Sequence, residues 1–231
     1  MGTVVSLGRT MSDTIHVLLA DDHDLARAGL RLALRGYEDF SVVGEARDGS
    51  EAVRQAKRLR PELVVLDVRM PNLNGIEACR EIGSGVPEAN ILMLTLFADE
   101  QAVTSAIGAG ASGFMLKGVP PAELIAAMRM TGRGGNVLDP ASAAALINQI
   151  RKANVPGQEA QLVAQLSDPE RRILKLIGHG MPDRDIGEQL SLSEATVHQH
   201  ISDVLRNLGL SRRVEAAAFA IRSALEKPPN D

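Results

Sequence analysis

Apolar residues in the first half of the chain fall into short unbroken runs separated by segments with helical spacing. Ile15-His16-Val17-Leu18-Leu19-Ala20 is one run, Ser41-Val42-Val43-Gly44 a shorter one, and Leu63-Val64-Val65-Leu66 another. Asn90 to Leu96 and Gly113-Phe114-Met115-Leu116 complete the set. Continuous aliphatic runs bounded by turn residues predict strands buried on both faces. Between them, Asp24 to Leu34 carries Leu25, Ala28 and Leu32 at helical spacing, and Ser50 to Leu59 turns Ala52, Val53, Ala56 and Leu59 inward. Gly75 begins a helix through Ile76, Cys79 and Ile82, and Asp99 to Gly108 is helical up to the Gly108-Ala109-Gly110 turn. Pro121 to Met130 is a helix with proline in its first turn, where the missing N–H costs nothing. Alternation at this pitch predicts an α/β fold, a doubly wound five-stranded parallel sheet over 14–131.

The second half reads differently. Gly132 to Gly135 breaks the pattern, and Pro140 to Arg151 is Ala-rich and helical. Lys152 to Gln165, with Asn154, Pro156 and Gly157, is polar and reads as linker, so 132–165 is a linker containing one helix. Ser167 and Glu170 have capping-box spacing, with Pro169 in the first turn. A helix through Ile173, Leu174 and Ile177 follows, then a short one from Asp183 to Leu190. Ser191-Leu192-Ser193 is a tight turn, and Glu194 to Leu208 carries the stripe Val197, Ile201, Val204, Leu205, Leu208. Arg212 to Leu225 is a fourth helix, closed by Pro228-Pro229. A separate all-α four-helix domain is therefore expected over 166–227. Residues 1–13 are expected to be a disordered leader, with Met11 an alternative start, and 228–231 a tail.

Composition narrows the class. The 231 residues carry a net charge of −4 and are 45% hydrophobic, an ordinary globular balance. Aromatic residues are only 2%, so both cores must be built from Leu, Ile, Val, Ala and Met. Cys79 is the one cysteine, which excludes an intramolecular disulfide and fits a reducing cytoplasm. No apolar run reaches membrane-spanning length, so no membrane role is expected.

The chemistry sits at the strand ends. The run ending at Leu66 continues into Asp67, the first run into Asp21-Asp22, and the last into Lys117. Carboxyl ends of strands are where open α/β sheets place ligands. A lone Asp there reads as an Asx turn. Carboxylates that converge repel one another unless a cation holds them. An all-oxygen site of this charge suits Mg²⁺.

Asp21-Asp22, Asp67, Thr95 and Lys117, each closing an aliphatic run, resemble the receiver domain of bacterial response regulators over roughly the first 130 residues. The resemblance implies that Asp67 accepts a phosphoryl group. It implies that Asp21, Asp22, Asp67 and the main-chain carbonyl of Arg69 hold Mg²⁺. Thr95 and Lys117 would meet the phosphoryl oxygens, and Phe114 falls at the aromatic switch position. A short helix, tight turn and longer helix make a helix-turn-helix. Leu166-Ser167, Glu170-Arg171, Ile186-Gly187, Ser193-Glu194-Ala195-Thr196-Val197, Leu208-Gly209-Leu210 and Arg213-Val214-Glu215-Ala216 resemble the LuxR-type DNA-binding domain. Together the two domains are similar to the NarL/FixJ class. That class implies a transcriptional regulator, not an enzyme beyond its own phosphorylation. It also implies a sensor histidine kinase, double-stranded operator DNA, a homodimer when phosphorylated, and RNA polymerase as partners. Thr196, His198, Gln199, Ser202 and Arg206 are the candidate DNA contacts.

The sequence departs from that class at several points. His198 stands where a lysine is usual, and residues 167–231 hold nine basic against ten acidic residues. A nucleic-acid binder usually shows a basic patch. Arg171, Arg172, Arg184, Arg206, Arg212 and Arg213 either cluster in space or are ordinary solvated charges. Leu96 and Arg69 flank the acceptor and are also unusual. Asp13, Asp24 and Asp48 read as caps. Three rivals remain: a pseudo-receiver controlled without phosphate, an aspartyl-phosphate hydrolase, and an adaptor whose helical domain has lost DNA binding. The hydrolase reading lacks its second Asp, since Arg69 stands there.

Overall fold

The computed structural model describes residues 14–96, 100–140, 142–144, 146 and 158–223. The chain runs β1 (Ile15–Ala20), α1 (Asp24–Leu34), β2 (Phe40–Ala46), α2 (Gly49–Leu59), β3 (Leu63–Asp67) and α3 (Gly75–Gly85). It continues through β4 (Asn90–Thr95), α4 (Glu100–Ala109), β5 (Gly113–Leu116), α5 (Pro121–Gly132) and β6 (Val137–Leu138). Then come α6 (Gln158–Gln165), α7 (Asp168–Gly178), α8 (Asp183–Leu190), α9 (Glu194–Leu208) and α10 (Arg213–Arg222). The expected leader 1–13, the tail 228–231, Asp13 and residues 147–157 of the expected helix and linker lie outside the described residues.

One sheet with strand order β2-β1-β3-β4-β5-β6 forms the first domain, and every pairing is parallel. Side chains alternate across a strand, so each aliphatic run feeds two cores. Leu18, Val64, Leu66, Ile91, Met93 and Phe114 face α2, α3 and α4, packing on Ala52, Val53, Ala56, Ala78, Cys79, Ile82, Ala106 and Ile107. Val17, Leu19, Leu63, Val65, Leu92, Leu94 and Met115 face the other way, onto Leu34 of α1 and Ile125, Ala127 and Met128 of α5. Each fully buried leucine here stabilises the fold by roughly 1.5–3 kcal/mol.

The second domain is all helical. Ile173, Leu174 and Ile177 of α7, Ile186 of α8, Val197, Ile201 and Val204 of α9 and Phe219 of α10 make one buried cluster. The Ser167–Glu170 capping box starts α7 as its spacing predicts. Buried Glu170 also accepts from Asn207 Nδ2 (3.1 Å), tying α7 to the end of α9.

Four features differ from the sequence expectation. The sheet has six strands, not five, because Val137 and Leu138 pair with Gly113 and Phe114. Residues 158–165, read as linker, are helical, and Leu162 and Val163 pack on the second core. On α1, Leu25 and Leu32 point to solvent at 86% and 67% exposure. The inward positions are Arg27 and Leu34, because Arg27 finds polar partners beneath the helix. Asp24 is not a cap; it lies inside α1 and pairs with Arg27, whereas Asp48 does cap α2 through Glu51 N–H.

Candidate functional site

Parallel pairing brings the strand ends into one layer. Ala20 lies opposite Leu66, Asp67 opposite Leu94, and Thr95 opposite Leu116. Asp21, Asp67, Thr95 and Lys117 therefore meet at the carboxyl end of the sheet. The chain past each strand is pinned by main-chain bonds: Asp21 N–H to Ala46 O (3.1 Å), Val68 N–H to Leu94 O (3.0 Å) and Lys117 N–H to Thr95 O (2.8 Å).

The loop after Asp67 closes tightly. Gly75 N–H donates to Val68 O, and a Cβ on Gly75 would stand 1.8 Å from the main-chain oxygen of Asp67. Only glycine fits there, so the start of α3 is laid directly against the end of β3.

Asp21 and Asp67 are 3% and 5% exposed, and Thr95 is buried with them. Lys117 Nζ lies 2.7 Å from Asp21 Oδ2 and 3.0 Å from Asp67 Oδ2, bridging the two. Burial pushes the Asp67 carboxyl above its ordinary value, against the hydrogen bond and charge of Lys117, and the Asp21 charge pushes it the same way as burial. Burial would lower Lys117, but its bonds to Asp21 and Asp67 outweigh that and hold the ammonium above its usual range. Exposed Asp22 completes the acidic layer.

Ligand atoms of Asp21, Asp22, His23 and Asp67 all lie within 4.8 Å of one another. Three carboxylates against one ammonium leave uncompensated negative charge in a half-buried layer, which a divalent cation fits. His23 was not among the residues singled out from the sequence. Its Nδ1 stands 2.8 Å from Asp22 Oδ1 and its N–H donates to Asp21 Oδ1 (2.9 Å). The main-chain amide of Arg69 steadies the Asp67 carboxylate. Leu96 is 63% exposed beside this layer, and Phe114 is fully enclosed in the core beneath it.

The second candidate surface is α9. Ser191 takes a left-handed conformation (φ 55°) to turn the chain out of α8, and Ser193 caps α9 through Thr196 N–H (3.1 Å). A Cβ on Gly187 would meet Leu192 O at 2.7 Å, so the two helices of the turn approach over a bare backbone. Thr196, His198, Gln199 and Arg206 are exposed and Ser202 is half-buried, on the side opposite Val197, Ile201 and Val204. His200 is half-buried at the margin of the stripe. Four of the six arginines noted in the sequence are paired with carboxylates of their own domain. Arg171, Arg184, Arg206 and Arg213 face Asp168, Glu188, Asp203 and Asp183 respectively.

The two surfaces are joined through β6. Asn136 N–H donates to Gly180 O (3.4 Å), and Arg213 bonds Asn136, Asp183 and the Met181 carbonyl. Val214 and Ala218 of α10 lie in the same buried cluster as Ala106, Ala109 and Leu146. His198 and Ser202 line a cleft of about 310 Å³ whose other wall is Asn90, Arg133 and Gly134. In this arrangement the side of α9 that carries the candidate contacts His198 and Ser202 looks at the first domain. Sequence reasoning noted Arg213 as a motif residue but missed Asn136, since a lone polar residue in a glycine-rich break carries no signal.

A family profile described as response regulator receiver domain matches residues 17–129, and one described as bacterial regulatory proteins, luxR family, matches 164–220. The chain is 38% identical over 217 residues to the DNA-binding transcriptional activator DevR/DosR of Mycobacterium tuberculosis, covering 94% of this chain and 99% of that one. It is 37% identical over 211 residues to the transcriptional regulatory protein LiaR of Bacillus subtilis, covering 91% and 99%. A crystal structure of a LuxR-family two-component response regulator from an Aurantimonas species is 34% identical, with a TM-score of 0.56 over 59% of this chain and 98% of that one.

Proposed function

The chain belongs to the response regulators that join a receiver to a LuxR-type DNA-binding domain, which are transcriptional regulators and not enzymes in the usual sense, and from that premise we propose that it is switched by accepting a phosphoryl group on Asp67 from a sensor histidine kinase. The observation that carries this reading is Lys117 bridging Asp21 and Asp67 at the carboxyl end of the sheet. In the step, an Asp67 carboxylate oxygen forms a bond to phosphorus as the phosphorus–nitrogen bond of the donor histidine breaks. The imidazole leaves with the electron pair of that bond. The Lys117 ammonium is placed to balance charge on the incoming oxygens, and Thr95 offers a hydroxyl one strand away. Mg²⁺ held by Asp21, Asp22, Asp67 and the Arg69 carbonyl would neutralise charge on the transferring group.

A new phosphoryl group brings close to two negative charges beside Lys117. Lys117 follows β5, and β5 pairs with β6, whose preceding residue Asn136 bonds Arg213. We read this as the route by which phosphorylation releases α9 for the major groove of double-stranded DNA. Pairing of two phosphorylated copies on two half-sites, contact with RNA polymerase and a cytoplasmic location complete the proposal. The domain limits expected from sequence, 14–131 and 166–227, widen in this proposal to take in β6 on the first domain and the helix from Gln158 on the second. DNA recognition by the class supports the location. Among the described residues no helix is long and apolar enough to cross a membrane.

Incubation with acetyl phosphate and Mg²⁺ tests the central step. One phosphoryl group should be added to the wild-type chain and none to Asp67→Asn. Labelling that survives the substitution places the acceptor elsewhere.

A further inference from the structure

No other described lysine or arginine is buried as deeply as Arg27, which is 5% exposed on α1. A buried guanidinium must find acceptors for its donors, since stranding them is costly. Arg27 Nη1 donates to the main-chain oxygen of Asp21 (2.6 Å), Nε to Glu45 Oε2 (3.4 Å) and Nη2 to Asp24. The first of these bonds is the informative one. β1 ends at Ala20, so the Asp21 carbonyl has passed beyond the ladder that would otherwise pair it. That carbonyl belongs to the peptide plane joining Asp21 to Asp22.

We propose that Arg27 is a positioning residue for the divalent-cation site. By gripping the Asp21 carbonyl it fixes the peptide plane between Asp21 and Asp22, and with it how the two carboxylates are presented. The Asp21 side chain is already fixed, with Oδ2 on Lys117 and Oδ1 on His23 N–H. Asp22 is exposed, with its Oδ1 2.8 Å from His23 Nδ1, and the peptide plane sets where that carboxylate stands. Glu45 on β2 anchors the guanidinium to the sheet, and Arg31 Nε lies 3.4 Å from the other Glu45 oxygen. Arg27 touches none of the reacting atoms, so its effect is on cation affinity and not on transfer itself. This inference rests on the Mg²⁺ reading above.

Calorimetric titration of the full chain with MgCl₂ tests it, alongside acetyl phosphate labelling over a range of Mg²⁺. Arg27→Met should weaken Mg²⁺ binding by about tenfold or more, the usual loss when an outer partner of a metal ligand is removed. Labelling by Arg27→Met should return to the wild-type rate at saturating Mg²⁺. Arg27→Lys can reach one acceptor and should recover part of the affinity. Equal Mg²⁺ affinity in wild type and Arg27→Met overturns the assignment. So does a labelling defect that excess Mg²⁺ leaves in place, which marks a general structural role. Should Arg27→Met prove unfolded by circular dichroism, Arg27→Lys decides: weaker binding with full labelling at saturation supports the role, and wild-type affinity overturns it. A wild-type chain that takes up no Mg²⁺ removes the cation reading and this inference together, an outcome distinct from failure at Arg27 alone.

Discussion

Arg213 donates from Nε to Asn136 Oδ1 over 3.2 Å, across the junction between the receiver and the helix-turn-helix domain. A hydrogen bond to a charged group contributes about 1.5–3 kcal/mol. Asn136→Ala removes it and leaves Arg213 its bonds to Asp183 and Met181. The closed arrangement should lose population, and the unphosphorylated chain should bind DNA up to about tenfold more tightly. Fluorescence anisotropy with a fragment selected by the wild-type chain measures this. Unchanged affinity means that closure does not limit access to α9.

Asp67 carries a carboxyl raised chiefly by burial. A group raised in the folded state stabilises below its ordinary value of 3.8 and loses that contribution as pH rises through the folded value. At neutral pH in a chelator, ionised Asp67 is therefore a burden on the fold. Asp67→Asn should melt higher than wild type at pH 7, and the difference should shrink as pH falls towards 4. Calorimetry at both pH values checks the sign.

Asp39 behaves the opposite way. The hydrogen bond from Arg129 holds its carboxyl below the ordinary 3.8, so its contribution is present above that value and is lost as pH falls through the depressed one. Asp39→Asn should cost roughly 0.5–1 kcal/mol at pH 7, a magnitude reduced by partial exposure. Arg129→Met should cost more, because the guanidinium also lies 5.7 and 5.4 Å from the ring centroids of Tyr37 and Phe40. Urea titrations at pH 7 and pH 3 give both numbers, and a variant as acid-sensitive as wild type refutes the pairing.

Gln199 is exposed on α9, and its amide can bond an adenine edge twice, worth roughly 1–3 kcal/mol of discrimination. In the free chain Nε2 rests on Asp203 at 3.3 Å, beside Arg206. Gln199→Ala should relax sequence preference more than it weakens non-specific binding. Each phosphate neutralised adds about 0.9 to the salt slope. With Arg171, Arg184, Arg206 and Arg213 facing carboxylates of their own domain, the slope should be shallow. A slope as steep as about 8 would show that those pairs break on DNA.

Much of this architecture is legible in the sequence because periodicity is strong where burial is complete. The runs through Val17, Val64, Ile91 and Met115 have one solution, a sheet covered on both faces, and strand ends then place Asp21, Asp67, Thr95 and Lys117 together. The six-strand sheet was not legible: two residues, Val137 and Leu138, are too few to show a period. The helix over 158–165 was hidden by its glutamines, with only Leu162 and Val163 marking a buried side. On α1 the spacing of Leu25 and Leu32 suggests a core stripe, but the inner face belongs to Arg27. An arginine three and seven residues before Leu30 and Leu34 was the available signal. It reads as a surface charge until the Asp21 carbonyl is seen beneath it.

β6 also decides where this chain can be divided. Severing it after residue 131 would remove the strand that covers β5. Phe114 O would lose the Asp139 N–H and Ser112 O the Val137 N–H. β5 would become a bare rim of unpaired backbone, the kind of margin that recruits another chain. A receiver fragment cut there should self-associate for reasons unrelated to signalling, whereas one carried through residue 146 keeps its rim sealed. On the far side, a fragment meant to bind DNA by itself should start at 158, so that Leu162 and Val163 stay on the core they cover.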